Sequence, residues 1–170
     1  MAPFKEDPEE WQRIDWQLLQ NSPITLYFRR AVLDEHAAWF ADHGYRVLSL
    51  EAGRYGSPEK LLVALGRLFQ FPEYYGRNLA AFQDCLSDVE VPETGLVLVM
   101  HGFDEVARKN GPFAQAVLDV CADISRRFLL TGQRFLVLIQ SDDPRLTFEP
   151  VGRTTVLWNP QEWLSSSRGL

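Results

Sequence analysis

Short β-rich apolar runs alternate along the chain with longer stretches whose apolar residues recur at helical spacing. Pro8 to Gln20 carries Trp11, Ile14, Leu18 and Leu19 at that spacing and stops at Asn21-Ser22-Pro23, so the pattern predicts a helix lying on the domain. Ile24 to Phe28 (ITLYF) reads as a strand. Leu33 to Asp42, with Ala37, Trp39 and Phe40, reads as a helix closed by His43-Gly44. The pattern then repeats: Val47 to Leu50 is a strand, and Ser57-Pro58 supplies the N-cap and first residue of a helix. The buried stripe of that helix is Leu61, Leu62, Leu65, Leu68 and Phe69.

After a turn at Phe71 to Gly76, Asn78 caps a short helix whose core face is Leu79, Phe82 and Leu86. Leu96 to Met100 (LVLVM) and Phe135 to Ile139 (FLVLI) are uninterrupted apolar runs, as expected of strands covered on both faces. Between them, a helix from Pro112 to Leu130 places Phe113, Ala116, Val117, Val120, Cys121, Ile124 and Phe128 on one side. Strands alternating with helices predict an α/β domain: a mainly parallel sheet of about four or five strands, right-handed crossovers, and helices on both faces. In the tail, Thr154 to Trp158 is expected as a late edge strand, Pro160 to Leu164 as a segment packing Trp163 back on the body, and Ser165 to Leu170 as frayed.

The 170 residues are 46% hydrophobic, enough for one ordinary domain with a substantial core. The net charge of −6 disfavours attraction to nucleic-acid phosphates or anionic lipid, so a basic partner is the easier electrostatic fit. The polar, acidic start and the lack of any long apolar stretch predict a cytoplasmic protein without a membrane segment. Cys85 and Cys121, the two cysteines, fall in separate predicted helices and are expected as reduced thiols packed in the core.

Catalytic chemistry finds little support. Gly53-Arg54-Tyr55-Gly56 lacks the spacing, the lysine and the hydroxyl of a phosphate-cradling loop, and His36, His43 and His101 are too scattered to predict a metal site. His36 and His43 read as solvated. The best enzyme-like set is His101 with Asp104 beyond the end of the LVLVM strand, joined by Cys85 or Cys121 as nucleophile. Both cysteines lie on apolar helix faces and read instead as core filler, so the expectation is a binding protein, with no enzyme activity, cofactor or metal.

The informative segment is Phe71 to Asp88, FPEYYGRNLAAFQDCLSD. Tyr74 and Tyr75 sit in a Pro- and Gly-bounded turn where burying both is difficult, and displayed amphipathic aromatics are common at interfaces; one of them can equally pack over the sheet edge. At about 100° per residue, Asp84 falls opposite the Leu79, Phe82, Leu86 stripe, with Asp88 on the same outward face. Asp119 and Asp123 repeat this spacing on the long helix, Asp123 at the border of its buried stripe. Acidic helical edges beside tyrosines suit a surface that receives basic groups, while a solvated face accounts for any single one of these carboxylates as well.

At Pro72-Glu73-Tyr74-Tyr75-Gly76, Asn78-Leu79 and Asp84-Cys85-Leu86 the chain resembles the barstar family, intracellular inhibitors of the ribonuclease barnase. The likeness runs back to about Val47 and forward through LVLVM, Phe103, Asn110-Gly111 and the Pro112 helix to FLVLI. It implies a single domain in which residues 46–141 form the barstar-like core, residues 1–45 an N-terminal helix and added β-α unit, and residues 142–170 a C-terminal extension. The added segments are expected to extend the sheet edge. The resemblance further implies an inhibitor that blocks an endoribonuclease or nuclease toxin with carboxylates standing in for substrate phosphate. That role falls to Asp84, with Asp123 as a second acidic contact, while Tyr74, Tyr75, Gly76, Asn78 and Leu79 match the segment lying against the enzyme. Three positions depart from the family pattern: Ala80 replaces a contacting aspartate, Gln83 a tryptophan and Arg77 a glutamate. Ala80 and Arg77 favour the alternative of an interaction or regulatory module of the same fold with a non-nuclease partner.

Overall fold

The computed structural model describes residues 4–170, and its elements run α1 (Ile14–Leu19), β1 (Ile24–Tyr27), α2 (Arg30–Asp42), β2 (Arg46–Glu51), α3 (Pro58–Phe69), α4 (Leu79–Ser87), β3 (Leu96–His101), α5 (Phe103–Lys109), α6 (Gly111–Leu130), β4 (Phe135–Gln140) and β5 (Leu157–Trp158). The five strands form one parallel sheet in the order β2-β3-β4-β1-β5. β1 is thus an interior strand: Leu26 lies between Ile139 of β4 and Trp158 of β5.

The apolar runs are explained by burial on both faces. Leu96, Leu98 and Met100 of β3 pack with α3, α4, α5 and α6, whereas Val97 and Val99, one residue out of phase, pack with Leu18 of α1 and Val32, Leu33 and Phe40 of α2. β4 divides likewise into Phe135, Val137 and Ile139 against Leu136 and Leu138. Each such side chain withdrawn from water contributes roughly 1.5–3 kcal/mol before the entropy of ordering is set against it. The two-sided α/β sandwich expected from the strand-helix alternation is the observed one.

Contacts distant in sequence move several boundaries. The segment expected as one helix from Pro8 to Gln20 is a 3-10 turn (Glu10–Gln12) and α1, separated by an extended Arg13 (φ −72°, ψ 143°). Buried Asp15 accounts for the break: its carboxylate takes the Arg13 guanidinium (2.8 Å), the Tyr45 hydroxyl and Arg134 (3.6 Å), a cluster the chain reaches by starting afresh at Ile14. α2 begins at Arg30 instead of Leu33 because the buried Glu162 carboxylate receives the Phe28 and Arg29 N–H groups, each at 2.9 Å, and so caps the helix from the far end of the chain. α5 was not expected at all. α6 begins at Gly111, one residue before Pro112, with Asn110 Oδ1 accepting the Phe113 N–H (3.0 Å).

The tail departs furthest from expectation. β5 has only two residues, and Trp163 is 55% exposed where it was expected to pack on the body. What anchors this stretch is polar: Arg168 is buried, donates to the carbonyls of Pro144 (3.0 Å), Glu162 (2.6 Å) and Trp163 (2.9 Å), and lies over the Trp158 ring. Ser165–Arg168 is therefore an ordered 3-10 turn, not a frayed end. His36 is likewise not solvated: it is buried, with Nδ1 2.7 Å from the Tyr27 hydroxyl and Nε2 3.1 Å from Gln161, and burial lowers its pKa. His43 is exposed and stacks on Trp39 at 3.8 Å between ring centroids.

Candidate partner-binding face

The face is built from the end of α3, the turn at residues 71–77, α4 and the adjoining side of α6. α3 starts as predicted, with Ser57 Oγ accepting the Lys60 N–H (3.3 Å), and ends at Gln70 in the left-handed region. Gly66 on its last turns leaves room for the Tyr75 ring; a Cβ there would stand 2.6 Å from Tyr75 Cε1. Tyr75 is half-buried, donates its hydroxyl to the Leu62 carbonyl (3.1 Å) and meets Phe71 edge-on at 5.0 Å. Burial pushes its pKa up to about 12, keeping the hydroxyl a donor. With that ring committed to the body, the turn displays its neighbour: Tyr74 is 78% exposed.

Asn78 performs the predicted capping, its Oδ1 accepting the Ala81 N–H (2.8 Å) and its Nδ2 donating back to the Gly76 carbonyl (3.3 Å). Both polar ends of this side chain are used in shaping the turn and α4. Phe82, Cys85 and Leu86 are buried and Leu79 is half-buried, which leaves Ala80, Asp84 and Asp88 exposed as the helical wheel required. Asp84 has no ion-pair partner among the described residues.

Asp123 is differently placed. Its Oδ2 accepts the amide of Gln83 (3.1 Å) and pairs with Arg127, one turn along α6, at 3.0 Å. The structure thus leaves Tyr74, Gly76, Asn78 and Asp84 exposed and Tyr75 and Leu79 half-buried along the turn and α4, and joins Asp123 to α4 through Gln83. In the sequence Gln83 is only a departure from the family pattern; no local signal marks it as the link between α4 and α6, because its partner lies 40 residues away.

The rival thiol-enzyme set is poorly equipped. Cys121 is fully buried and burial pushes its pKa up to about 12; Cys85 is also buried and is raised by burial, then by Asp88 and Asp84. Such thiols stay protonated and are weak nucleophiles. His101 stands at the end of β3 with Nε2 4.0 Å from Asp34, while its Nδ1 and Asp104 Oδ1 are buried without a hydrogen-bond partner among the described residues. No group of three His, Cys, Asp or Glu among the described residues is arranged to hold a metal, and none of their helices is long and apolar enough to cross a membrane.

A family model described as Barstar (barnase inhibitor) matches residues 45–140, more than half of the chain and every residue of the candidate face. The chain belongs to the barstar family. In barstar-family terms, residues 45–140 contain β2, β3 and β4, and β1 and β5 extend that sheet beyond β4. A comparison with curated proteins finds no match. Among solved structures, the chain is similar to one titled Drosophila ORC bound to AT-rich DNA and Cdc6, at 18% identity and a TM-score of 0.48, covering 87% of this chain and 45% of that one. A Walker-type ATPase of Pyrococcus abyssi is similar at 11% identity and a TM-score of 0.44, covering 80% of this chain and 45% of that one. The chain spans less than half the length of either.

Proposed function

We propose that this barstar-family chain is a cytoplasmic proteinaceous inhibitor that binds and blocks a basic endoribonuclease or nuclease toxin, in the manner of an antitoxin or immunity protein, and is not an enzyme. The observation that carries the reading is Asp84: an exposed carboxylate without an ion-pair partner among the described residues, on a capped helix of a matched barstar domain that follows the turn displaying Tyr74. A ribonuclease gathers arginines and lysines to hold phosphate. A carboxylate aimed at them accepts charge-assisted hydrogen bonds and occupies the phosphate's place. Tyr74, Gly76 and Leu79 supply the surrounding contact, while Tyr75 and Asn78 act through the shape they give the turn.

A second reading is favoured by one observation. Asp123, the expected second acidic contact, is already paired with Arg127 and Gln83, which lowers the negative potential offered to a basic enzyme. A barstar-fold interaction or regulatory module with a non-nuclease partner fits that arrangement. The test is a stoichiometric titration of barnase activity with the full chain and with Asp84→Ala. Inhibition that saturates near one equivalent and is lost in the variant supports the inhibitor; no inhibition, or inhibition indifferent to Asp84, favours the module.

A further inference from the structure

Between the last turn of α3 and the 71–77 turn lies a shallow pocket of about 220 Å3, whose polar lining is Arg67, Gln70, Glu73 and Arg77. Gln70 and Arg77 are the two non-glycine residues with positive φ among the described residues, at 57° and 55°. For Gln70 the fold supplies a reason: it closes α3, with its N–H and that of Phe71 bonded to the carbonyls of Arg67 (3.2 Å) and Gly66 (2.8 Å). Arg77 has no such return. The left-handed conformation is costly for a residue with a Cβ, and the position just before the Asn78 cap sets a cation at the positive end of the α4 dipole. Neither the Arg77 nor the Arg67 guanidinium has a hydrogen-bond or ion-pair partner among the described residues, and both are exposed. An exposed cation held in a costly backbone conformation, with no partner for its guanidinium among the described residues, points to recognition.

We propose that this pocket determines which nuclease the face accepts: Arg77, with Arg67 lining the same pocket, receives a carboxylate side chain of the partner, and a cation brought to the same place is rejected. Two guanidinium forks suit a carboxylate, and a like charge set against them is the repulsive element that specificity requires. The inference rests on the docking face proposed above and adds that the partner carries an acidic residue near the cations that meet Asp84.

The test uses barnase, and barnase variants with each surface Lys or Arg changed to Glu one at a time, against the full chain and its Arg77→Glu, Arg77→Gly and Asp84→Ala variants. At least one barnase variant is expected to bind the natural chain about tenfold or more tightly than barnase does. Arg77→Glu should lose that gain and bind unmodified barnase more tightly than the natural chain. Arg77→Gly, which suits the left-handed backbone, should melt no lower than the natural chain yet also lose the gain, which a merely structural arginine would not do. If no barnase variant gains while Asp84→Ala still weakens binding, the pocket has no selective role and the docking face stands. If Asp84→Ala changes nothing, or barnase and all its variants go unbound, the docking face fails and this inference with it.

Discussion

The side-chain amide of Gln83 donates to Asp123 Oδ2 at 3.1 Å, tying α4 to α6. Arg127 holds the same oxygen at 3.0 Å, so the second acid of the face is spoken for within the chain, whereas Asp84 has no ion-pair partner among the described residues.

Asp123→Ala should therefore weaken binding of a basic ribonuclease much less than Asp84→Ala. Arg127→Ala, which releases Asp123, should strengthen it by a few-fold. The Asp123–Arg127 pair is an exposed i, i+4 pair, so Arg127→Ala should change stability by no more than about 0.5 kcal/mol. Affinity and melting temperature of the two variants check this; a loss of affinity in Arg127→Ala would show that Arg127 itself contacts the partner.

Glu162 predicts an acid-sensitive lock. Burial by itself raises its pKa, but the Arg29 N–H, the Asn159 amide, the Phe28 N–H and the Arg29 guanidinium together outweigh burial and hold the value below the ordinary 4.5. A carboxyl with a depressed folded-state pKa contributes stability that is complete above its unfolded value and is lost as pH falls through the folded one. Glu162→Ala, which strands the Phe28 and Arg29 N–H groups and the Asn159 amide while Arg29 itself can reach water, should cost about 1–3 kcal/mol at neutral pH. The melting-temperature gap between wild type and Glu162→Gln should narrow as pH drops below the ordinary glutamate range; a gap independent of pH would contradict the assignment.

Residues 4–45 form an integral part of the sheet. β1 separates β4 from β5, and Ile24 and Tyr27 are fully buried in it. A chain beginning at Arg46 would lose α1, β1 and α2, bare one edge of β4, uncover the apolar face that α1 and α2 cover, and leave β5 without its strand neighbour. It should bind hydrophobic dye and aggregate. If it is as soluble and stable as the full chain, the added unit is an appendage.

What the sequence revealed follows from the range of each interaction. LVLVM and FLVLI announced β3 and β4 because two-sided burial writes an uninterrupted apolar run, and Ser57 and Asn78 announced α3 and α4 because a cap acts within three residues. The exposure of Asp84 followed from helical periodicity alone. α5 escaped notice because seven residues between a strand and the Asn110 cap show little periodicity. The break at Arg13, the early start of α2, the burial of His36 and the hold of Gln83 on Asp123 escaped for another reason. Each depends on a partner on another element: Tyr45, Glu162, Tyr27 or Gln83.

The central claim is tested most directly by the dissociation rate of barnase from wild type, Asp84→Ala and Asp84→Asn, with thermal stability measured in parallel. Asp84 is exposed at the middle of a nine-residue helix, has no internal partner, and sits four residues from the like charge of Asp88, so its removal should leave stability within about 0.5 kcal/mol of wild type. In the complex it would be desolvated against the enzyme's cations. Truncation should then cost at least about 2 kcal/mol, about 30-fold in Kd, chiefly as faster dissociation, and the isosteric but neutral asparagine should recover little of it. Unchanged dissociation together with a lowered melting temperature would make Asp84 a structural residue and place any partner on another surface.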